Sequence, residues 1–136
     1  MSKTSIHVTC AIIEYNGLVL AAKRSPAMNL PHKWEFLGGK IEPGEDPRAC
    51  LQREIHEELG MDIAVKTALP AVNHQYPDFG IILYPFVCSA ESDFFSLQEH
   101  AKALWLKPEA LQDLDWAEAD LPVLAAYQNL QKGTRA

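Results

Sequence analysis

Apolar and β-branched residues are concentrated in short runs separated by polar or turn-forming residues, a pattern typical of strands. Between the first two runs, Asn16-Gly17 is a strong signal for a hairpin turn. The third run is very short and ends at Gly38-Gly39. We therefore predict strands over residues 5–14, 18–23, 34–36, 63–69, 71–76, 81–89 and 103–106.

A helical pattern occupies the middle of the chain, after a turn over residues 42–45. Asp46 followed by Pro47 predicts an N-cap and a first helical residue, and Gly60 predicts the C-terminal end. Between them an apolar residue recurs at every fourth position, which predicts one buried stripe. The stripe consists of Leu51, Ile55 and Leu59.

Two further helices are expected toward the C-terminus. One is short and covers residues 108–111, and the other is amphipathic and runs from Asp120 to about Gln131. Strands outnumber helices, and the helices fall between and after the strands. This order predicts an α+β fold in which a mixed sheet packs between helices as an α/β/α sandwich.

The composition suits one globular domain over residues 1–136, because 48% of residues are apolar and no repeat or linker divides them. The net charge of −6 argues against a groove for polymeric nucleic acid, although a metal ion can still bring a single nucleotide to an acidic site. Neither a signal peptide nor a membrane span is recognisable, so we expect a cytoplasmic protein without a membrane partner. Cys10, Cys50 and Cys88 lack zinc-ligand spacing and are expected to be buried, reduced thiols.

Three carboxylates share one face of the central helix, because Glu54, Glu57 and Glu58 follow one another at i, i+3 and i+4. This face adjoins the apolar stripe, where several negative charges need a compensating cation. Hard divalent cations prefer such oxygen ligands. The helix alone nevertheless favours a solvated acidic face, paired loosely with Arg48 or Arg53.

The residues around the helix decide between these interpretations. Residues 39–61 fit the pattern G-x5-E-x7-R-E-U-x-E-E-x-G-U, in which U is a bulky apolar residue. A chance match at a given start has odds of about one in 10¹⁰ for flat residue frequencies. The positions that satisfy the pattern are Gly39, Glu45, Arg53, Glu54, Ile55, Glu57, Glu58, Gly60 and Met61.

This pattern resembles that of the Nudix hydrolases, and residues 34–42 resemble the segment that precedes it in MutT-type members. The resemblance implies the Nudix fold and the branch that includes CTP pyrophosphohydrolases and 8-oxo-dGTP diphosphatases. It is strong over residues 34–61 and weaker around Glu99-His100, Trp105 and residues 120–122. Leu37 departs from the proline or alanine that most MutT relatives have.

The resemblance also implies the metal site and the catalytic residues. Mg²⁺, for which Mn²⁺ can substitute, is expected to bind Glu54, Glu57, Glu58, Glu99 and a backbone carbonyl of Gly38 or Gly39. The expected catalytic residues are Glu54, Glu57, Glu99 and Arg53. Glu54 is the first choice for the general base and Glu99 the second. Arg53 is expected to orient neighbouring carboxylates, and Glu45 to support the approach of the preceding segment to the helix.

Substrate contacts are expected from residues outside the helix. The candidates are Arg24, Glu35, Phe36, Leu37, Gly38, Lys40 and Asp120. Asp120 could read a base by accepting from the N4 amino group of cytosine or from guanine N–H groups, or it could be a helix N-cap. Phe36, Tyr76 and Phe79 are candidates both for stacking on the base and for the core.

The activity these features predict is a Mg²⁺-dependent nucleoside triphosphate pyrophosphohydrolase that releases a nucleoside monophosphate and pyrophosphate. CTP, dCTP and oxidised nucleotides such as 8-oxo-dGTP are the expected substrates. The alternatives are hydrolysis of another substrate, such as a nucleotide sugar or a dinucleoside polyphosphate, and a role as a non-catalytic nucleotide sensor. The sequence leaves open the preferred base, the number of metal ions, and whether the protein is a monomer or a homodimer.

Overall fold

The computed structural model describes residues 5–134, so the expectations for residues 1–4 and 135–136 lie outside the described residues. Within this range the strands form one eight-stranded sheet. They are β1 (Ser5–Tyr15), β2 (Leu18–Lys23), β3 (Trp34–Glu35), β4 (Gly38–Lys40), β5 (Ile63–Ala68), β6 (Val72–Gln75), β7 (Gly80–Ala90) and β8 (Lys102–Leu106). The helices are α1 (Pro47–Leu59), α2 (Asp120–Thr134) and a 3₁₀ helix over Pro108–Asp113.

Strand β1 lies at the centre of the sheet, whose order is β3-β2-β1-β7-β5. Strand β4 also pairs with β1, while β6 pairs with β7 and β8 with β2. The β1–β7 pair is parallel and the other pairs are antiparallel. The sheet is therefore mixed, as the sequence predicted.

Both faces of the sheet are covered. On one face, the side chains of Ala11 and Ile13 in β1 belong to a cluster with the buried stripe of α1. On the other, Cys10 and Ile12 belong to a cluster with Val123 and other residues of α2. A strand buried on both faces is continuously apolar, which explains the unbroken run in β1. The predicted α/β/α arrangement is confirmed.

The ends of α1 follow the predicted capping residues. The Asp46 side chain accepts a hydrogen bond from the Ala49 N–H at 3.1 Å, and Pro47 is the first helical residue. Gly60 ends the helix in the left-handed region, with φ of 68°. No helix among residues 5–134 combines the length and apolar content that a membrane crossing requires.

The glycine pair Gly38-Gly39 differs from the prediction, because it forms strand β4 rather than the end of the preceding strand. Gly38 and Gly39 pair antiparallel with Cys10 and Thr9 of β1. A Cβ atom on Gly38 would lie 1.8 Å from the Thr9 carbonyl oxygen. Glycine is therefore required for this close approach of the two backbones.

Candidate active site

The acidic face of α1 lies directly against β4. A Cβ atom on Gly39 would come within 2.1 Å of Glu54 Cδ and 2.4 Å of Glu54 Oε2, so the carboxylate packs on bare backbone. Burial raises the pKa of Glu54, although Arg53, which contacts Glu54 Oε1 at 3.0 Å, opposes this change. A carboxylate with a raised pKa is suited to accept a proton.

Arg53 joins the carboxylates of the pattern. Its Nε and Nη2 donate to the two oxygens of Glu45 at 2.9 and 3.0 Å, a bidentate pair, and its Nη1 also contacts Glu57 at 3.4 Å. The hydrogen bonds from Arg53 lower the pKa of Glu45 to about 2. Glu45 Oε1 accepts from the Glu42 N–H as well, so the turn before α1 is tied to the helix.

Glu58 is bound to the segment that contains Glu99. Its Oε1 accepts hydrogen bonds from the His100 N–H at 3.0 Å and from His100 Nδ1 at 2.9 Å. The Glu99 N–H lies 3.1 Å from both Glu58 oxygens. These contacts place the exposed Glu99 side chain beside α1, although 41 residues separate it from Glu58 in sequence.

His100 is a site residue that the sequence analysis did not identify. Its Nε2 lies 2.6 Å from Glu35 Oε2, so the ring bridges Glu35 and Glu58. Burial disfavours the charged ring, but the two carboxylates outweigh it and raise the pKa of His100. Its position next to Glu99 was the one available signal, because spacing alone does not show what a loop histidine contacts.

Arg24 continues this set of contacts. Its Nη1 donates to both Glu35 oxygens, at 2.8 and 2.9 Å, and the side chains of both residues are 18% exposed. The Arg24 Nε–H donates to the Asn29 carbonyl oxygen in the loop that follows β2. A continuous path of hydrogen bonds therefore leads from Glu58 through His100 and Glu35 to Arg24.

One cavity of about 280 Å³ brings most of the predicted residues together. The polar part of its lining includes the two glycines of β4 and charged side chains from four different segments. The apolar part includes aromatic rings from the segment after β3 and from the turn between β6 and β7. The polar members include Arg24, Glu35, Gly38, Gly39, Lys40, Glu54, Glu58, Glu99 and Asp120, and the aromatic members are Phe36, Tyr76 and Phe79.

Three of the predicted residues do not line this cavity: Leu37, Arg53 and Glu57. The Leu37 side chain is buried in the cluster beneath α1, on the other side of the sheet from Phe36. Adjacent residues of an extended segment point to opposite faces, which accounts for this placement. The side chain of Glu57 is 59% exposed and lies beside Arg53.

Asp120 is the most buried charged residue of the cavity, at 5% exposure. Its Oδ2 accepts from the Phe36 N–H at 2.9 Å, a contact across the fold rather than the local contact of an N-cap. Burial raises the pKa of Asp120 well above its ordinary value, and the charge of Glu35 adds to this effect. Phe36 itself packs on Trp116 with ring centres 4.6 Å apart, and Tyr76 packs on Phe79 at 5.0 Å. The aromatic residues thus belong to both the core and the cavity wall.

The donor atoms around Glu54 fit a hard divalent cation, because they are carboxylate and carbonyl oxygens and the missing Cβ of Gly39 brings the backbone close. No three His, Cys, Asp or Glu side chains within residues 5–134 already converge as a complete metal-binding group. Instead, Glu54 and Glu57 contact Arg53, and Glu58 contacts His100. The Glu57 side chain is thus paired with Arg53 rather than grouped with the other carboxylates.

Comparison with known proteins establishes the family. A model of the NUDIX domain matches residues 3–127. The chain is 36% identical over 128 residues to the CTP pyrophosphohydrolase of Escherichia coli (strain K12), with 93% of each chain covered. It is 36% identical over 88 residues to the 8-oxo-dGTP diphosphatase of Proteus vulgaris, with 64% of this chain and 79% of that protein covered.

A solved structure supports the same assignment. The solution structure of the E. coli ORF135 protein matches with a TM-score of 0.80 and 32% identity, over 95% of this chain and 92% of that one. The chain belongs to the Nudix hydrolase family and is MutT-like. Members of this family generally use divalent metal ions and act on small nucleotide substrates.

Proposed function

We propose that this chain, as a single domain over residues 1–136, is a Mg²⁺-dependent nucleoside triphosphate pyrophosphohydrolase. It converts CTP, dCTP or an oxidised nucleotide such as 8-oxo-dGTP into the nucleoside monophosphate and pyrophosphate. The observation that carries the proposal is that one cavity contains both Glu54 and Glu58 of α1 and a buried polar residue, Asp120, among aromatic rings. The activities for which the two relatives are named support the choice of substrates.

The size of the cavity favours a division of the substrate between two regions. Pockets that enclose a whole drug-sized ligand measure about 300–1,000 Å³, and this one has about 280 Å³. It therefore suits a base, with the phosphate chain extending past Gly39 toward the carboxylates of α1. Lys40 and Arg24 line the cavity and provide positive charge for the phosphates.

The metal-binding residues in this proposal are Glu54, Glu57, Glu58, Glu99 and a backbone carbonyl of Gly38 or Gly39. When bound, Mg²⁺, or Mn²⁺ in its place, neutralises phosphate oxygens and favours ionisation of the attacking water. Glu54 accepts the proton of that water, because burial raises its pKa and Gly39 holds it at the cavity wall. Glu99 is the alternative base. Arg53 holds Glu45 and Glu54 in place.

Asp120 reads the base in this proposal. Its Oδ2 is used by the Phe36 N–H, so Oδ1 is the oxygen left for the ligand. When ionised, Oδ1 accepts from an amino group such as cytosine N4–H₂, and when protonated it donates to a ring nitrogen or carbonyl. Burial raises the pKa of Asp120, which favours the protonated form relative to an exposed aspartate.

The proposed setting is the cytoplasm, where the three buried, unpaired cysteines would remain reduced. Removal of altered triphosphates from the nucleotide pool would protect DNA replication and reduce the need for DNA repair.

The test is hydrolysis of a panel of nucleoside triphosphates, nucleotide sugars and dinucleoside polyphosphates, measured as phosphate release with added pyrophosphatase and Mg²⁺. Glu57→Gln is expected to remove most turnover, about 100-fold or more, while the melting temperature stays near that of the wild type. Glu91→Gln, at an exposed position outside the cavity, is the matched control and should leave kcat unchanged. Wild-type rates in Glu57→Gln would refute the assignment, and a wild type that binds but never hydrolyses nucleotides would indicate a sensor.

A further inference from the structure

His100 occupies a position between the carboxylates of α1 and the arginine of the β2–β3 loop. Its two ring nitrogens face two different carboxylates, Glu58 at 2.9 Å and Glu35 at 2.6 Å. Only 8% of the His100 side chain is exposed, so water does not compete well for these contacts. A buried ring that bridges two carboxylates fixes the distance between them.

We propose that His100 is a positioning residue that holds Glu58 for metal binding and, through Glu35, holds Arg24 for the phosphates. This inference rests on the proposed function, because it assigns Glu58 and Arg24 their roles in that reaction. His100 lines the cavity, but both of its ring nitrogens are already used, by Glu58 and Glu35. Its contribution is to fix residues from three separate segments relative to one another.

The metal-binding side of the proposal depends on which Glu58 oxygen is available. Oε1 accepts from both the His100 N–H and His100 Nδ1, which use its two lone pairs. Oε2 shares only the Glu99 N–H, at 3.1 Å. His100 therefore turns the carboxylate so that Oε2 is the oxygen with capacity for a cation. Hydrogen-bond partners of metal ligands typically change metal affinity by about 10–100-fold when removed.

The phosphate-binding side depends on how Arg24 is held. Glu35 accepts hydrogen bonds from the Nη1 of Arg24, and the Asn29 carbonyl oxygen accepts one from the Arg24 Nε. Nη2 is the guanidinium nitrogen that none of these contacts uses, and it is therefore the one available to a phosphate. Because Glu35 is itself held by His100, loss of that contact would leave Arg24 paired with a mobile carboxylate.

Two substitutions separate the contacts of the ring. The amide nitrogen of asparagine lies where Nδ1 lies in histidine, whereas that of glutamine reaches the position of Nε2. His100→Asn can therefore still donate to Glu58 but not to Glu35, and His100→Gln can donate to Glu35 but loses the side-chain contact with Glu58. His100→Ala removes both contacts. His56→Gln is the matched control, because His56 pairs with Asp62 on the exposed side of α1 at 3.0 Å.

The two readouts do not need turnover. Mn²⁺ binding to the nucleotide-free protein, followed by electron paramagnetic resonance, reports on Glu58. Exchange of the Arg24 guanidinium N–H protons with water, followed by NMR, reports on Glu35. We expect His100→Gln to weaken Mn²⁺ binding about 10-fold, at the lower end of the usual range because two backbone N–H contacts to Glu58 remain.

The opposite pattern is expected for His100→Asn, with Mn²⁺ affinity close to that of the wild type and faster exchange of the Arg24 N–H protons. His100→Ala should change both readouts and His56→Gln neither. The inference is overturned if His100→Asn and His100→Gln give the same pattern, if His100→Ala changes neither readout, or if the wild type binds no Mn²⁺. A wild type that hydrolyses no nucleotide but shows the expected split would refute the proposed function alone.

Discussion

Replacing Gly39 by alanine tests whether the close packing of β4 on Glu54 matters for catalysis. The added Cβ would lie 2.1 Å from Glu54 Cδ, whereas ordinary contacts begin at 3.4 Å, so the carboxyl group must move by more than about 1 Å. The three closest atoms all belong to the Glu54 side chain, which can rotate, and Gly39 does not have a positive φ. The substitution is therefore expected to move the carboxylate while the fold is retained.

The expected loss follows from the size of this displacement. A misplacement of about 1 Å in a catalytic group can reduce the rate by roughly 100-fold, which corresponds to about 2.7 kcal/mol in the activation free energy. The assay is steady-state hydrolysis of CTP with saturating Mg²⁺, together with thermal unfolding of the same preparation. Gly39→Ala should lower kcat/KM by about this factor, with a melting temperature close to wild type.

Gly38→Ala provides the matched comparison, because its Cβ would meet backbone atoms rather than a flexible side chain. It would lie 1.8 Å from the Thr9 carbonyl oxygen and 2.6 Å from the Thr9 carbonyl carbon. The β1–β4 pairing would have to break, so this variant should lose stability as well as activity. Full activity in Gly39→Ala, or equal destabilisation of the two variants, would refute the reasoning about Glu54.

Three other variants test individual parts of the structure. Leu37→Ala should lower the free energy of unfolding by about 2–5 kcal/mol in a denaturant titration, because the Leu37 side chain is buried beneath α1. The KM of this variant should not change, and a raised KM without loss of stability would show that Leu37 contacts the substrate. Because the pKa of Glu45 is lowered from 4.5 to about 2, its contribution to stability is complete above pH 4.5 and disappears as the pH falls toward 2. The difference in melting temperature between wild type and Glu45→Gln should shrink over that window, and a constant difference would contradict the Arg53 pairing. Asp120→Asn, which keeps an acceptor for the Phe36 N–H, should change the ratio of kcat/KM values between cytosine and guanine substrates by about 10-fold or more, and an unchanged ratio would exclude base reading.

The features that the sequence predicts well are those determined by local chemistry. Helix α1 has a capping aspartate, a proline at its first position and a glycine at its end, and each acts on its nearest neighbours. Strand β1 is predicted by its apolar residues. The spacing of Glu54, Glu57 and Glu58 also follows from the helical period, so the acidic face could be predicted before any tertiary contact was known.

The features that the sequence does not predict depend on contacts between distant segments. Strand β4 consists of two glycines and a lysine, which have low strand propensity, and it forms because β1 is available to pair with it. His100 lies in a segment without regular structure, and its two partners come 42 and 65 residues earlier in the chain. The side of the sheet that Leu37 faces likewise depends on the exact path of the backbone after β3.

The most direct test of the central claim is hydrolysis of CTP, dCTP and 8-oxo-dGTP by the wild-type protein in H₂¹⁸O with Mg²⁺, with the products separated and analysed by mass spectrometry. Cleavage between the α- and β-phosphates predicts a nucleoside monophosphate and pyrophosphate as the products, with one ¹⁸O in the product whose phosphorus the water attacked. Addition of EDTA should stop the reaction, and Mg²⁺ should restore it. Release of orthophosphate and a nucleoside diphosphate, or no hydrolysis of any of the three triphosphates, would contradict the account.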